Sequence, residues 1–140
     1  MAITQAMCTS FKEDLFQKEQ DLDSDTIRIA LYTSSANLDA TTTAYTATGE
    51  VANGNGYSTT GEVLTTPVIG TSGTTAYVDF DNPEWASASF TTAGALIYND
   101  TTAGNNAIAV LNFGGDFTVT SGTFRIVFPT PGAAGLIRID

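Results

Sequence analysis

The chain has 140 residues and a net charge of −10, with five basic residues against 15 acidic ones. This length fits one domain with a substantial core and is short for two. The excess of carboxylates argues against binding to nucleic acid or to anionic membrane surfaces, because both need clustered lysine and arginine. Histidine is absent and Cys8 is the only cysteine, which excludes histidine- and cysteine-based catalytic dyads, zinc sites built from these residues and intrachain disulfides. We expect no cofactor.

The first 25 residues are more charged than the rest and predict an N-terminal helical arm, domain 1–25. Ile3, Met7, Phe11 and Leu15 recur at every fourth position, which is typical of one face of an amphipathic helix from about residue 4 to residue 20. This face could pack on the chain's own domain or on a neighbouring subunit, and both alternatives stay open. Because the N-terminus has no basic stretch followed by an apolar run, we expect no signal peptide.

Residues 26–140 predict a second unit, a β domain. Residues 26–33 alternate between apolar and polar side chains, as in a half-buried strand. Further short strands, separated by Gly, Asn and Asp, are expected at 62–69, 74–80, 95–98, 107–113, 117–119, 123–128 and 136–139. Such regular spacing predicts a mainly β fold, an antiparallel β-sandwich or a jelly-roll-like domain.

A long stretch at residues 34–61 interrupts this pattern. It is rich in Thr, Ala, Ser, Asn and Gly, and Tyr45 and Tyr57 are among its few large side chains. Long ordered loops commonly carry function. We therefore name Tyr45 and Tyr57 as candidate partner-binding residues, together with the apolar face of the arm.

Two acidic groups raise the question of chemistry. Asp21, Asp23 and Asp25 have the spacing of the first three ligands of a calcium loop. The pattern then fails, since Thr26 stands where a glycine is needed and Tyr32 where a bidentate glutamate is needed. A solvated junction between helix and strand explains these aspartates equally well, and we expect no metal site.

Asp79, Asp81 and Glu84 form the second acidic group, beside Trp85. Paired carboxylates near an aromatic residue could hydrolyse a glycosidic bond, and aspartate oxygens in a turn could also hold calcium. An acidic turn followed by a buried tryptophan explains the same residues without catalysis. We expect the protein not to be an enzyme.

Several segments together resemble a known group of proteins. They are MAITQAMCTSFKEDL, TIRIALYTSSANLDATTTAYT, AYVDFDNPEW, GALIYND, AVLNFGGDFTV and TFRIVFPTPGAAGLIRID. In this order they resemble a group of small structural proteins encoded by tailed bacteriophages, and the resemblance covers nearly the whole chain.

The resemblance implies a virion protein made in the host cytoplasm, with major capsid or tail subunits as partners. The acidic composition predicts no direct contact with nucleic acid or membrane. A homo-oligomer is also expected. The function implied first is a capsid decoration or cement protein that stabilises the shell by bridging neighbouring subunits. The alternative is a tail, baseplate or fibre-associated component that binds a receptor or a carbohydrate. The candidate partner-binding residues are Ile3, Met7, Phe11, Leu15, Tyr45 and Tyr57.

Overall fold

The structure, a computed structural model, describes residues 2–140 and is mainly antiparallel β. Its elements are β1 (Ala6–Met7), α1 (Thr9–Phe16), β2 (Ile27–Tyr32), β3 (Glu62–Val63), β4 (Val68–Ser72), β5 (Thr75–Asp79), β6 (Glu84–Asn99), β7 (Ala107–Arg125) and β8 (Ile137–Ile139). One sheet has the strand order β1-β7-β6-β2-β3 and the other has the order β4-β5-β8. The prediction of a mainly β, sandwich-like domain is confirmed. No helix within residues 2–140 is long and apolar enough to cross a membrane.

The core lies on the larger sheet, around β2 and the adjoining halves of β6 and β7. Alternation in β2 predicted one buried and one exposed face, yet Ala30 and Tyr32 on the supposed outer face are fully buried. Residues 34–61 cover that face. The largest fully buried side chains are Trp85, Tyr32, Tyr57, Tyr98, Phe11, Ile27, Ile29, Leu31, Leu38, Leu96, Ile97 and Ile108.

The helix is shorter than the sequence predicted. It spans Thr9–Phe16 and not residues 4–20. The residues before it are extended, because Thr4 and Leu38 bond through their backbones and β1 pairs with β7. After the helix, Lys18 has a φ of 59°. This left-handed backbone conformation cannot continue a right-handed α-helix. The sequence periodicity of four could not reveal that neighbouring strands would satisfy these backbone groups.

The N-terminal segment packs on the chain's own β domain. Phe11 is 2% exposed and lies in the core. Beyond the helix, Gln20 donates to Asp14 and to the backbone of Ala107, and Asn99 donates to Asp25. Of the two alternatives for the apolar face of the helix, packing on its own domain is therefore the observed one.

β6 and β7 form one long hairpin where several short strands were expected. The predicted turn at Gly114 and Gly115 is a bulge within β7. Thr92 of β6 pairs with Phe117, whereas Gly94 pairs with Asn112, so the intervening residues of β7 loop out. A second irregularity lies at Ser121, which has a φ of 46°. Glycine-rich turns and bulges share the same positive-φ residues, and the sequence signal does not distinguish them.

Candidate functional site

The six residues predicted to bind a partner lie in three places. Phe11 and Tyr57 are buried in the core, whereas the other four are partly buried against it. Ile3 bridges to Leu38 at the N-terminus. Met7 and Leu15 line an open groove, and Tyr45 and Tyr57 meet at Glu50. Phe11 lines an adjoining cavity together with Leu15. The structure thus brings Met7, Phe11 and Leu15 together, joins Tyr45 and Tyr57, and places Ile3 apart from both groups.

The groove runs between α1 and β8, and we call it the basic groove. It has a volume of about 680 Å³ and is lined by Met7, Lys12, Leu15, Phe16, Arg138 and Ile139. An adjoining cavity of about 350 Å³ extends it towards β4 and β5. The helix presents Lys12, Leu15 and Phe16 to the groove, whereas the side chain of Phe11 is buried in the core.

Large apolar side chains are exposed along this groove. Phe16 is 93% exposed, Ile139 is 51% exposed, and Ile69 of the adjoining cavity is 52% exposed. Grouped exposed apolar residues mark interaction sites more often than scattered ones do. The sequence analysis named Leu15 and missed Phe16. The available signal was the angle around the helix, because Phe16 lies roughly 140° from Phe11 whereas Leu15 lies roughly 40° from it.

Basic side chains surround these apolar residues. Lys12 and Arg138 line the basic groove, and Lys18 lines the adjoining cavity. All three are exposed. Among the residues lining the two cavities, the only carboxylate is Asp21. The surface is therefore apolar with a positive rim, on a chain whose net charge is strongly negative.

The second feature is the tyrosine loop, residues 34–61. Glu50 is its centre. Its carboxylate accepts hydrogen bonds from the Tyr45 hydroxyl at 2.5 Å, the Tyr57 hydroxyl at 2.6 Å and the Thr60 backbone N–H at 2.8 Å. The Tyr57 hydroxyl also accepts from the backbone N–H of Leu31 at 3.0 Å. This network fastens the tyrosine loop to the edge of β2, where the Val51 N–H also donates to the carbonyl of Leu31.

Two further tyrosines hold the same loop through their hydroxyls. Tyr32 donates to the carbonyl of Thr46 and Tyr98 donates to the carbonyl of Thr60. Burial, the first cause, raises the pKa of the Tyr98 hydroxyl to about 12 and raises the pKa values of Tyr32, Tyr45 and Tyr57 further. These hydroxyls therefore stay protonated donors at neutral pH. Their role is to position the loop.

The three carboxylates of the acidic turn, Asp79, Asp81 and Glu84, have different partners. Asp79 is 1% exposed and accepts from the backbone N–H groups of Phe80 and Leu136. Asp81 accepts from the hydroxyl of Thr66, and Glu84 pairs with Arg125. Each carboxylate thus has a structural contact of its own.

The aspartates after α1 and the single cysteine have structural roles. Asp21 accepts from the backbone and hydroxyl of Ser24, within the junction between α1 and β2. Across residues 2–140, no group of three or more Cys, Asp or Glu side chains could hold a metal ion. Cys8 is fully buried, and its burial, followed by the charge of Asp39, raises the pKa of the thiol to about 11. Such a thiol is unreactive at neutral pH.

No known protein-family model, curated protein or solved structure matches this chain.

Proposed function

We propose that the chain is a non-enzymatic structural protein of a phage particle, a capsid decoration or cement protein that bridges neighbouring shell subunits. The observation that carries this proposal is the exposed apolar surface along α1, β8 and β4, where Phe16, Ile139 and Ile69 are each at least half exposed. Burying such residues against another protein stabilises a complex. A bridging protein needs a surface of this kind.

The phage assignment itself rests on the resemblance of the sequence to small virion proteins. The acidic, disulfide-free composition supports it, because a particle component must stay dissolved at high concentration before assembly. Many identical copies on a lattice would add up a modest affinity per site. The mechanism is non-covalent, and the acidic turn serves the fold.

A tail, baseplate or fibre-associated component is the second candidate. The tyrosine loop favours it, because its tip at residues 52–55 presents mostly exposed small and polar residues on a firmly anchored base. Loops of this kind suit recognition of a receptor or a carbohydrate. In this case the tip would be the binding surface and the basic groove would attach the protein to the particle.

Quantitative mass spectrometry of purified particles tests the proposal. We expect copies of this chain in numbers comparable to the major shell subunit. A much smaller number, typical of tail components, would favour the second candidate. Absence from particles would contradict both and would return attention to Asp79, Asp81 and Glu84, whose substitution would then be tested for loss of a hydrolytic activity.

A further inference from the structure

We propose that the basic groove binds an extended, acidic and apolar segment of a neighbouring protein, which adds as a strand to the free edge of β8. This inference rests on the proposed function and names the surface and the partner's chemistry. Three observations carry it: the distribution of the basic residues, the free edge of β8 and the exposed apolar side chains between that edge and α1.

The basic residues of the chain fall into two classes. Arg28 pairs with Asp100 at 2.8 Å, and Arg125 pairs with Glu84 at 3.4 Å. Within residues 2–140, Lys12, Lys18 and Arg138 form no ion pair. These three are the ones that border the groove and its adjoining cavity.

This placement is unexpected in a chain with 15 carboxylates. Lys12 and Arg138 share their groove with no carboxylate, whereas Lys18 shares its cavity with Asp21 and, after the hydrogen bonds from Ser24 and Asp23, helps to lower the pKa of that carboxyl. The grouping of the three cations around an apolar surface creates a local positive potential that attracts carboxylates and opposes basic partners. The partner's charge is therefore expected to be negative where it meets Lys12, Lys18 and Arg138.

The shape of the groove favours an extended segment. β8 is the last strand of its sheet and pairs with β5 only, so within the described chain its other edge has no strand partner. Arg138 and Ile139 belong to this strand and also line the groove. A free strand edge is a template for another strand, and added strands place alternate side chains into neighbouring pockets.

Apolar anchoring completes the fit. Phe16 and Leu15 form the helix side of the groove and Ile139 forms the strand side. An incoming strand on β8 would direct its apolar side chains between them and its acidic side chains towards Lys12 and Arg138. Aromatic anchors of this kind dominate the affinity of many interfaces.

Binding of labelled peptides to the full-length chain tests the inference directly. The probes are a short peptide that alternates valine and aspartate and a matched peptide that alternates valine and lysine. We expect the acidic peptide to bind and the basic one not to. Arg138→Glu should weaken binding by about tenfold or more, while Arg125→Glu, the same change outside the groove, should leave it unchanged.

Three results would overturn the inference. They are equal binding of both peptides or of neither, equal effects of Arg138→Glu and Arg125→Glu, and binding of laurate, an anionic fatty acid, in place of either peptide. A version of the acidic peptide that is N-methylated along its backbone tests strand addition separately. We expect it to lose binding, because it lacks the donors a strand edge requires, and undiminished binding would contradict pairing with β8.

Measuring how much of each variant is incorporated into particles distinguishes failure of this inference from failure of the proposed function. Phe16→Asp and Arg138→Glu should reduce incorporation of the chain into particles, whereas Arg125→Glu should not. If all variants are incorporated like the wild type, the groove inference fails and the virion role stands. If the chain is absent from particles but the acidic peptide binds as expected, the virion role fails and the groove inference stands.

Discussion

The hydroxyl of Tyr57 donates a 2.6 Å hydrogen bond to Glu50 while it accepts one from the backbone N–H of Leu31. One buried side chain thereby joins the tyrosine loop to strand β2. Tyr57 also packs its ring against Trp85 and Phe90, with ring centroids 6.5 and 5.9 Å away. These contacts of Tyr57 explain how the tyrosine loop, a segment of mostly small and polar residues, is held in one conformation.

Tyr57→Phe should lower the free energy of unfolding by about 1–3 kcal/mol, because it leaves the buried N–H of Leu31 without a partner. Tyr77→Phe makes the same chemical change outside this network and should have a much smaller effect. Chemical denaturation of both variants measures the difference. Equal losses would contradict a structural role for the Tyr57 hydroxyl.

Gly61 should not tolerate a side chain. Its φ is 80°, and a Cβ there would lie 1.9 Å from the carbonyl oxygen of Ile29. Gly73 has a φ of 60°, but no atom lies within 4 Å of the position that a Cβ would take. Substitution of Gly73 therefore measures the cost of backbone strain without a steric clash. We expect Gly61→Ala to be severely destabilising and Gly73→Ala to cost about 1 kcal/mol. Thermal unfolding compares the two, and similar midpoints would contradict the close approach of the tyrosine loop to β2.

Stability should fall at alkaline pH. The folded chain raises the pKa of Cys8 from 9.0 to about 11 and that of Tyr98 from 10.0 to about 12, in both cases first through burial. The unfolded chain therefore releases these protons at lower pH than the folded chain does. The stabilisation is complete below about pH 9 and is lost progressively as the pH rises towards 12.

Unfolding by urea between pH 7 and pH 11 measures this dependence. Tyr57 contributes to it as well, because its pKa is also raised by burial. Tyr57→Phe should thus show a shallower decline above pH 10 than the wild type, in addition to its lower stability at neutral pH. A wild-type stability that is constant up to pH 11 would contradict the burial of these groups.

Substitution of two phenylalanines of α1 should change the free energy of unfolding by very different amounts. Phe11 is 2% exposed and Phe16 is 93% exposed. Phe11→Ala should cost about 3–5 kcal/mol, because it leaves a cavity in the core. Phe16→Ala should change stability by less than about 0.5 kcal/mol. Denaturant titration of the two variants tests whether α1 belongs to the domain's own core, and a stable Phe11→Ala variant would contradict it.

The β class of the fold could be predicted from the sequence because period-two alternation and turn residues are local signals. The strand 26–33 was placed to within a residue at each end. The extent of α1 could not be predicted, because residues 3–7 have a helical spacing but pair with β7 and Leu38. The separate strands expected at 107–113, 117–119 and 123–128 proved to be one strand with bulges, which ends at Arg125. In both cases contacts distant in sequence overrode the local pattern.

For the candidate site, the sequence by itself determined the scarcity of basic residues, the absence of histidine chemistry and the apolar spacing of Met7, Phe11 and Leu15. Only the tertiary structure decided which apolar residues face solvent. It buried Phe11, exposed Phe16 and brought Arg138 and Ile139, from the far end of the chain, beside α1. Composition fixes charge and available chemistry, whereas a binding surface depends on contacts between residues more than a hundred positions apart, which no local pattern encodes.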